Sequence, residues 1–452
     1  MFSELPFLMN EQLIKNALVI NAGLSMPADV RIRGARIERI APDIPAKANE
    51  QVIDAKGAWL LPGMIDDQVH FREPGLTHKG SIASESRAAV AGGITSYMEM
   101  PNVSPASTNM AALAHKYAIA RQGSLANYAF YLGATEDNLE DIKALDPSKI
   151  CGVKVFMGAS TGDLLVEHPQ ALEAIFRESP VLIVTHCEDG RRINHNLQMY
   201  RQNGLTPGIL DHAKIRDTEA CYASSSYAVS LAKQYRAQLH VLHITSEKEL
   251  SLFSTGNIRN KHITAEACVH HLWFSQDDYP RLGNLIKCNP AIKAASDREA
   301  LLNAVQSGLI DIIATDHAPH TWSEKQQAYL QAPAGLPLVE HALLSLCEQV
   351  HHNRLSIELV AEKTAHNPAI RYGIADRGFI HEGYFADLVL VSAKHSTEVS
   401  HKTCHYHCGW TPFNGTRFSS RILTTWVNGQ VVFDAGKLTQ SQTPAMPLVF
   451  NR

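Results

Sequence analysis

The stretch GMIDDQVHFREPG (residues 63–75) carries polar residues at every second position. They are Asp66, Gln68, His70 and Arg72, which supply an acid, an amide, an imidazole and a guanidinium. Since a strand sends alternate side chains to one face, we expect these groups on one side of one strand. An edge strand with a solvated polar face would explain the alternation. The apolar run LLPGMI just before it favours a strand that leaves a core and enters an active site, because buried polar groups need partners.

Chemically active residues also stand at or near the ends of other apolar runs. They are Asn102 in MPN, Lys154 in GVKVFMG, His186 in VTHCE, His243 in VLHITS, and Asp316, His317 and His320 in ATDHAPH. One histidine at a strand end is usually a structural residue. Histidine, aspartate and lysine collected from five strand ends predict a metal site, because imidazole and carboxylate are metal ligands.

Lys154 has two interpretations. Between Val153 and Val155 it would lie in a wall of low dielectric constant, where the pKa of an ammonium falls. A neutral amine there can add carbon dioxide and form a carbamate, an anionic oxygen ligand that can bridge two metals. Alternatively, the lysine pairs with a carboxylate of the barrel, such as Asp316. Spacing does not decide between the two.

The order and spacing of the apolar runs predict an α/β protein with two domains. Residues 12–61 contain short alternating runs that are typical of a small antiparallel sheet. From residue 62, eight apolar runs alternate with helical segments, which predicts a (β/α)8 TIM barrel. Short strands return after residue 378. We therefore predict a barrel over 62–378 and a β-sandwich domain built from both chain ends, 1–61 and 379–452.

Composition narrows the range of partners and compartments. The chain has 452 residues, a net charge of -4 and no long basic block, so we expect no nucleic-acid partner. Eight cysteines without framework spacing predict reduced thiols and a cytoplasmic protein. The start, MFSELPFLMNEQLIKNALVI, mixes acids with apolar residues, so we expect neither a signal peptide nor a membrane span.

The chain resembles the cyclic amidohydrolases, and among them the dihydroorotases of the barrel-plus-sandwich type, from about residue 15 to 435. The resemblance rests on PGMIDDQVHFREPG, MPN, GVKVFMG, His186, His243, KCNPAIK, IATDHAPH and AHNPA. Related allantoinases and hydantoinases lack an arginine two residues after the first-strand histidine. Arg72 is therefore the discriminating residue, since a guanidinium fork recognises the carboxylate that dihydroorotate carries and allantoin lacks.

The resemblance implies a zinc enzyme of de novo pyrimidine biosynthesis that interconverts N-carbamoyl-L-aspartate and L-dihydroorotate. It implies one or two zinc ions bridged by a carbamate on Lys154. The implied metal ligands are His70, Lys154, His186, His243 and Asp316, and Asp316 is also the general base. Arg72, Asn102 and His320 would share the substrate carboxylate, and Asn289 would contact the ring. We further expect a small-molecule substrate, no membrane partner and a homo-oligomer such as a dimer.

Gln68 is the one departure from the family motif, which has His-x-His where this chain has Gln68-Val69-His70. An amide oxygen is a weaker zinc ligand than imidazole, so the metal of His70 and Asp316 would be loose, rearranged or absent. Two ions are nevertheless favoured because both of those ligands remain. With five of six ligands kept we expect activity. The rival functions are an allantoinase-like hydrolase and a non-catalytic scaffold subunit.

Two further histidine-rich motifs are given less weight. The segment CHYHC (residues 404–408) packs four candidate ligands into five residues, without the spacers of structural zinc loops. We interpret it as a loop, with a surface metal site as the minor alternative. His270 and His271 are expected to shape the pocket floor.

Overall fold

The computed structural model describes residues 11–158, 164–439 and 445–452. The first ten residues, with their part of the predicted amino-terminal segment, lie outside the described residues. Within the described ranges, no helix is long and apolar enough to cross a bilayer. The eight cysteines are free thiols.

Strands from both chain ends form one sheet. The amino-terminal strands are β1 (Glu11–Asn21), β2 (Leu24–Arg33), β3 (Arg36–Ala41), β4 (Gln51–Asp54) and β5 (Trp59–Pro62). The carboxyl-terminal part adds four strands to this sheet, and together the nine make the largest sheet of the described chain. β1 pairs with β4 along its first half and with β5 along its second. The strands of both chain ends therefore share one sheet domain, as the sequence predicted.

Parallel strands follow directly and form the barrel. They are β6 (Met64–Val69), β7 (Ile94–Glu99), β8 (Asn127–Phe130), β9 (Leu132–Gly133), β10 (Val153–Met157), β12 (Ile183–Cys187), β13 (Leu239–Val241), β14 (Ile263–Cys268) and β15 (Ile312–Ala314), with β11 (Leu165–Val166) beside β10. β8 and β9 are one barrel strand interrupted at Tyr131. Nearly every residue of these strands is buried, which explains why they read as continuous apolar runs.

The remaining strands lie after the barrel. They are β16 (Leu388–Ser392), β17 (Thr397–Glu398), β18 (Arg417–Phe418), β19 (Arg421–Val427), β20 (Gln430–Asp434) and β21 (Lys437–Leu438). β16 pairs with β5, and this antiparallel contact joins the two ends of the chain into the sheet. β17 and β18 form a separate two-stranded ribbon. The domain boundaries at residues 61 and 378 stay predictions.

Helices connect the barrel strands. They are α1 (Ile82–Ala91), α2 (Met110–Gly123), α3 (Leu139–Lys143), α4 (Pro169–Glu178), α5 (Gly190–Gln202), α6 (His212–Ile215), α7 (Thr218–Tyr235), α8 (Glu247–Leu250), α9 (Val269–Trp273), α10 (Tyr279–Leu282), α11 (Ala295–Ser307), α12 (Trp322–Lys325), α13 (Ala342–His351), α14 (Ile357–Ala361) and α15 (Asn367–Tyr372). Side-chain caps fix several starts: Ser81 caps α1 and Asp217 caps α7. The alternation of strand and helix confirms the predicted (β/α)8 barrel.

The barrel closes where its first strand meets its last. Val69 forms a parallel bridge with His317, and the backbone N–H of His70 donates to the carbonyl of His317 at 2.7 Å. The carboxylate of Asp66 accepts from the backbone N–H and the hydroxyl of Thr315, at 3.1 and 2.6 Å. These bonds bring the two richest polar motifs of the sequence together at one seam.

A buried contact between the chain ends offers a test of the shared sheet. The indole N–H of Trp426 in β19 donates to Gln12 Oε1 in β1 at 2.9 Å. Trp426→Phe removes this donor and leaves the buried amide oxygen unpaired, so we expect the free energy of unfolding to fall by about 1–3 kcal/mol. Chemical denaturation followed by circular dichroism measures this loss. The control, Trp322→Phe, changes a residue that is 44% exposed and should leave stability unchanged; equal effects of the two variants would contradict the contact.

Candidate active site

A cavity of about 110 Å³ lies at the carboxyl ends of the barrel strands. It opens beside a second cavity of about 740 Å³, and Arg72, Asn102 and Asn289 line both. The smaller cavity collects nearly all the residues predicted from the sequence: Gln68, His70, Arg72, Asn102, Lys154, His186, His243, Asn289 and Asp316. His320 lines the outer cavity. The carboxyl ends of the strands are where barrel enzymes place their chemistry.

His70 and Asp316 face each other across the seam of the barrel. His70 Nε2 lies 3.1 Å from Asp316 Oδ1, and its Nδ1 lies 2.6 Å from Asn102 Oδ1. Since the amide oxygen can only accept, Nδ1 carries the hydrogen and a neutral ring turns its lone pair toward the carboxylate. That arrangement suits a cation between the two groups. The side-chain amide of Gln68 also donates to Asp316 Oδ1, at 3.1 Å.

His186 and His243 form a second pair of candidate ligands. His186 Nδ1 lies 3.0 Å from His243 Nε2, and the other nitrogen of His186 lies 3.0 Å from Glu188 Oε2. Glu188 is also paired with Arg216. Burial raises the pKa of Glu188, but the charge of Arg216 and the hydrogen bond from His186 hold it at about 2. The ionised carboxylate therefore accepts from His186 and fixes its ring. Two ring nitrogens directed at one point fit ligands of one metal ion.

Lys154 lies between these two pairs, in the wall of the barrel. It is 1% exposed, and burial lowers the pKa of its ammonium to about 8. Its nitrogen lies 4.6 Å from the ring centroid of Phe156. No described side chain forms an ion pair with it, so the alternative of a salt bridge to Asp316 is not realised in the described chain. A buried lysine of lowered pKa is chemically suited to carbamate formation.

Arg72 forms the outer wall of the site. It is buried, and it donates through Nε to the carbonyl of Pro319 at 3.1 Å and lies 3.1 Å from His320 Nε2. Lys79 approaches the other nitrogen of His320 at 3.1 Å. No described carboxylate forms a salt bridge with Arg72, so the site holds a buried cation without a counter-ion. Asn289 Oδ1 is likewise buried without a hydrogen-bond partner among the described residues.

Backbone conformation fixes three of these residues. Arg72, His243 and Asp316 have φ angles of 74°, 39° and 51°, in the left-handed region that non-glycine residues seldom adopt. Such conformations persist where the surrounding structure holds them, and they cluster at functional sites. The alternation of polar residues predicted a strand that continues to Arg72. In the structure β6 ends at Val69, so Arg72 lies beyond the strand.

Sequence reasoning missed Glu188, Phe156 and Arg216, which all take part in the site. Glu188 follows His186 by two residues in VTHCE, and that spacing could have identified it. Arg216 carries no recognisable motif.

The histidine-rich motifs have separate positions. His405 pairs with Glu340, and the backbone N–H of His407 donates to Glu85, so the segment 404–408 packs against the barrel as a loop. His270 and His271 do not line the smaller cavity and lie buried with Cys268, their candidate ligand atoms within 4.8 Å of one another.

A (β/α)8 barrel with histidine, lysine and aspartate side chains at its mouth is suited to metal-assisted hydrolysis. The family model for the amidohydrolase family matches residues 59–432. The chain is 34% identical to a dihydroorotase from Halobacterium salinarum over 90% of this chain and 93% of that protein. It is 31% identical to an allantoinase from Solibacter usitatus over 95% of each. An L-hydantoinase from Arthrobacter aurescens has a similar structure, with a TM-score of 0.91, 25% identity and coverage of 98% of this chain and 100% of that one.

The chain therefore belongs to the amidohydrolase family, and it is a cyclic amidohydrolase. Dihydroorotases and allantoinases match it at similar levels, so overall identity leaves the particular substrate open. Members of the family typically bind metal, which agrees with the opposed ring nitrogens of the site.

Lys154→Ala tests whether the buried lysine holds metal. We expect the variant to lose activity and at least about one equivalent of zinc per chain, because ligand removal lowers metal affinity. Elemental analysis and turnover assays measure both quantities, and a short carboxylic acid in the buffer should restore part of the activity. The control is Lys149→Ala, which removes an exposed lysine. Wild-type zinc and turnover in Lys154→Ala would refute the carbamate.

Proposed function

We propose that the chain is a dihydroorotase, which interconverts N-carbamoyl-L-aspartate and L-dihydroorotate in pyrimidine biosynthesis. Arg72 carries this proposal, because it is a buried guanidinium that lines the cavity without a carboxylate partner among the described residues. Burying a charge is costly unless a counter-ion accompanies it. A substrate carboxylate would supply that counter-ion, and dihydroorotate carries one.

The residues of the site suggest a division of labour. A bound divalent cation would lower the pKa of the attacking water and polarise the ring amide carbonyl. In the hydrolytic direction Asp316 takes the proton from that water and returns it to the leaving amide nitrogen. Arg72, Asn102 and His320 hold the substrate carboxylate, and Asn289 contacts the ring. This binding orients the carbonyl toward the reacting water.

We also infer one or two zinc ions with a bridging carbamate on Lys154. His186 and His243 would hold one ion, since their nitrogens already face each other at 3.0 Å. His70 and Asp316 would hold the second ion, since His70 Nε2 lies 3.1 Å from Asp316 Oδ1. Gln68 weakens the second position because its amide donates to the oxygen of Asp316 that a cation would use. We further infer a cytoplasmic homodimer.

An allantoinase is the enzymatic alternative, since relatives of that name are 28–31% identical to this chain. A panel of dihydroorotate, allantoin and hydantoin distinguishes these substrates. A scaffold subunit without catalysis is the non-enzymatic alternative. Zinc content together with turnover of any member of the panel would exclude it.

Arg72→Met should weaken recognition of dihydroorotate while zinc content stays at the wild-type level. Truncating one partner of a buried charge pair costs about 2–5 kcal/mol, which corresponds to a large fall in kcat/KM. Steady-state kinetics on dihydroorotate measure it, with the exposed Arg87→Met as the control. Unchanged kinetics in Arg72→Met, or a wild-type enzyme that prefers allantoin, would count against the substrate assignment.

Gln68→His restores the family residue and should tighten the weaker zinc position, because imidazole is the better donor. Titration of metal-free wild-type protein, followed by the recovery of activity, should show one tight and one weaker step. In Gln68→His the weaker step should move to lower zinc concentration. A single step that the substitution does not shift would indicate a site committed to one ion.

A further inference from the structure

A second group of candidate ligands lies inside the barrel, apart from the cavity. Asp67 of β6, His240 of β13 and Glu266 of β14 are all 0% exposed, and we call them the inner cluster. His240 precedes His243 by three residues on its strand, so the inner cluster lies deeper in the barrel than the candidate active site. None of its members lines the cavities at the barrel mouth.

Four polar atoms of the inner cluster lack hydrogen-bond partners among the described residues. The unpaired atoms are both carboxylate oxygens of Asp67, Oε2 of Glu266 and Nε2 of His240. Unpaired polar atoms are rare in protein interiors, and four in one cluster indicate a group that binds between them. Glu266 Oε1 is occupied, since it accepts from the backbone N–H of His243 at 3.1 Å.

His240 directs one ring nitrogen at the two carboxylates of the inner cluster. His240 Nδ1 lies 2.8 Å from Thr264 Oγ1, and this hydroxyl donates to the carbonyl of Leu239. This contact holds the ring so that Nε2 faces Asp67 and Glu266. Although burial lowers it, these two carboxylates raise the pKa of His240 to about 9, so a positive charge at Nε2 is favoured. Either a proton or a metal cation must lie between them.

Distances and charge favour a metal over a proton. His240 Nε2 lies 3.3 Å from Asp67 Oδ2 and 3.5 Å from Glu266 Oε2. Charge-assisted hydrogen bonds are about 2.7–2.9 Å long. Ligands at about 2.0–2.2 Å from a tetrahedral zinc ion stand about 3.3–3.6 Å apart. A divalent cation would also neutralise both buried carboxylates at once.

We propose that Asp67, His240 and Glu266 form a buried structural site for a divalent transition-metal cation such as zinc. One imidazole nitrogen and carboxylate oxygens are ligands that this class of cation accepts. Asp67 can supply two of the ligand atoms, because both of its oxygens are unpaired. Thr264 fixes the histidine through its other nitrogen, as the outer partners of metal-bound histidines do. The site is independent of the proposed substrate.

The decisive experiment is a crystal of the full chain, purified without chelator from zinc-supplemented medium, with anomalous maps on both sides of the zinc edge. We expect one peak between Asp67, His240 and Glu266, separate from any peak beside His186 and His243. A map without a peak at the inner cluster, with the nitrogen–oxygen distances shortened to those of hydrogen bonds, would overturn the proposal in favour of a shared proton.

His240→Gln provides a second measurement by elemental analysis. The variant should lose about one metal equivalent per chain relative to the wild type. His366→Gln is the matched control, because His366 is also buried but bonds to Ala22 and Gly378, away from the cluster. Unchanged metal content in His240→Gln would contradict the site. If this variant does not fold, the wild-type anomalous map alone decides the question.

Discussion

The seam between the first and last barrel strands is the contact on which the site depends. Thr315 binds Asp66 there, and the backbone of His70 binds His317. The same two segments bring the side chain of His70 to 3.1 Å from Asp316. Closure of the barrel and assembly of the site therefore use one set of bonds. A change that opened this seam would separate the ligands before it exposed much apolar core.

The interior of the barrel contains more ionisable groups than its packing requires. Lys154, His186 and His243 are nearly inaccessible to solvent, and burial lowers the pKa of each. Such groups make the empty fold less stable than an apolar barrel of the same shape. A cation held by these groups would reverse that cost, since ligand binding to the native state adds to its stability. In the proposed metalloenzyme, folding and metal uptake would therefore be coupled.

Sequence patterns predicted the barrel because its strands are buried on both faces and read as uninterrupted apolar runs. They predicted which polar residues meet in one cavity, because strand ends converge on one side of a barrel. The roles of these residues as metal ligands stay predictions. The β-rich chain ends also predicted a shared sheet domain beside the barrel. The division of β1 between β4 and β5 could not be predicted, because it depends on register rather than composition.

Asp67 shows the limit of reasoning from alternation. A regular strand would place it on the face opposite Asp66 and Gln68. In the structure Asp66 pairs with Tyr97 of β7, and Val69 pairs with Glu99. Between these two pairs β6 advances by three residues and β7 by two, so β6 contains one extra residue. Such a bulge changes the direction in which the following side chains point. Asp66, Asp67 and Gln68 consequently contact Thr315, His240 and Asp316 in succession. No sequence pattern of this length specifies a bulge.

Relatives named for different activities match the chain almost equally, so overall identity does not indicate the substrate. Identity over 409 or 441 residues averages mainly over the barrel core. In the proposed dihydroorotase, Arg72 would affect the binding of substrates in two ways. A carboxylate gains a charge-assisted partner, whereas a ring without one leaves a buried guanidinium uncompensated. The difference in binding free energy between the two substrates would therefore exceed the gain from the carboxylate pair alone, because a substrate without a carboxylate also loses affinity.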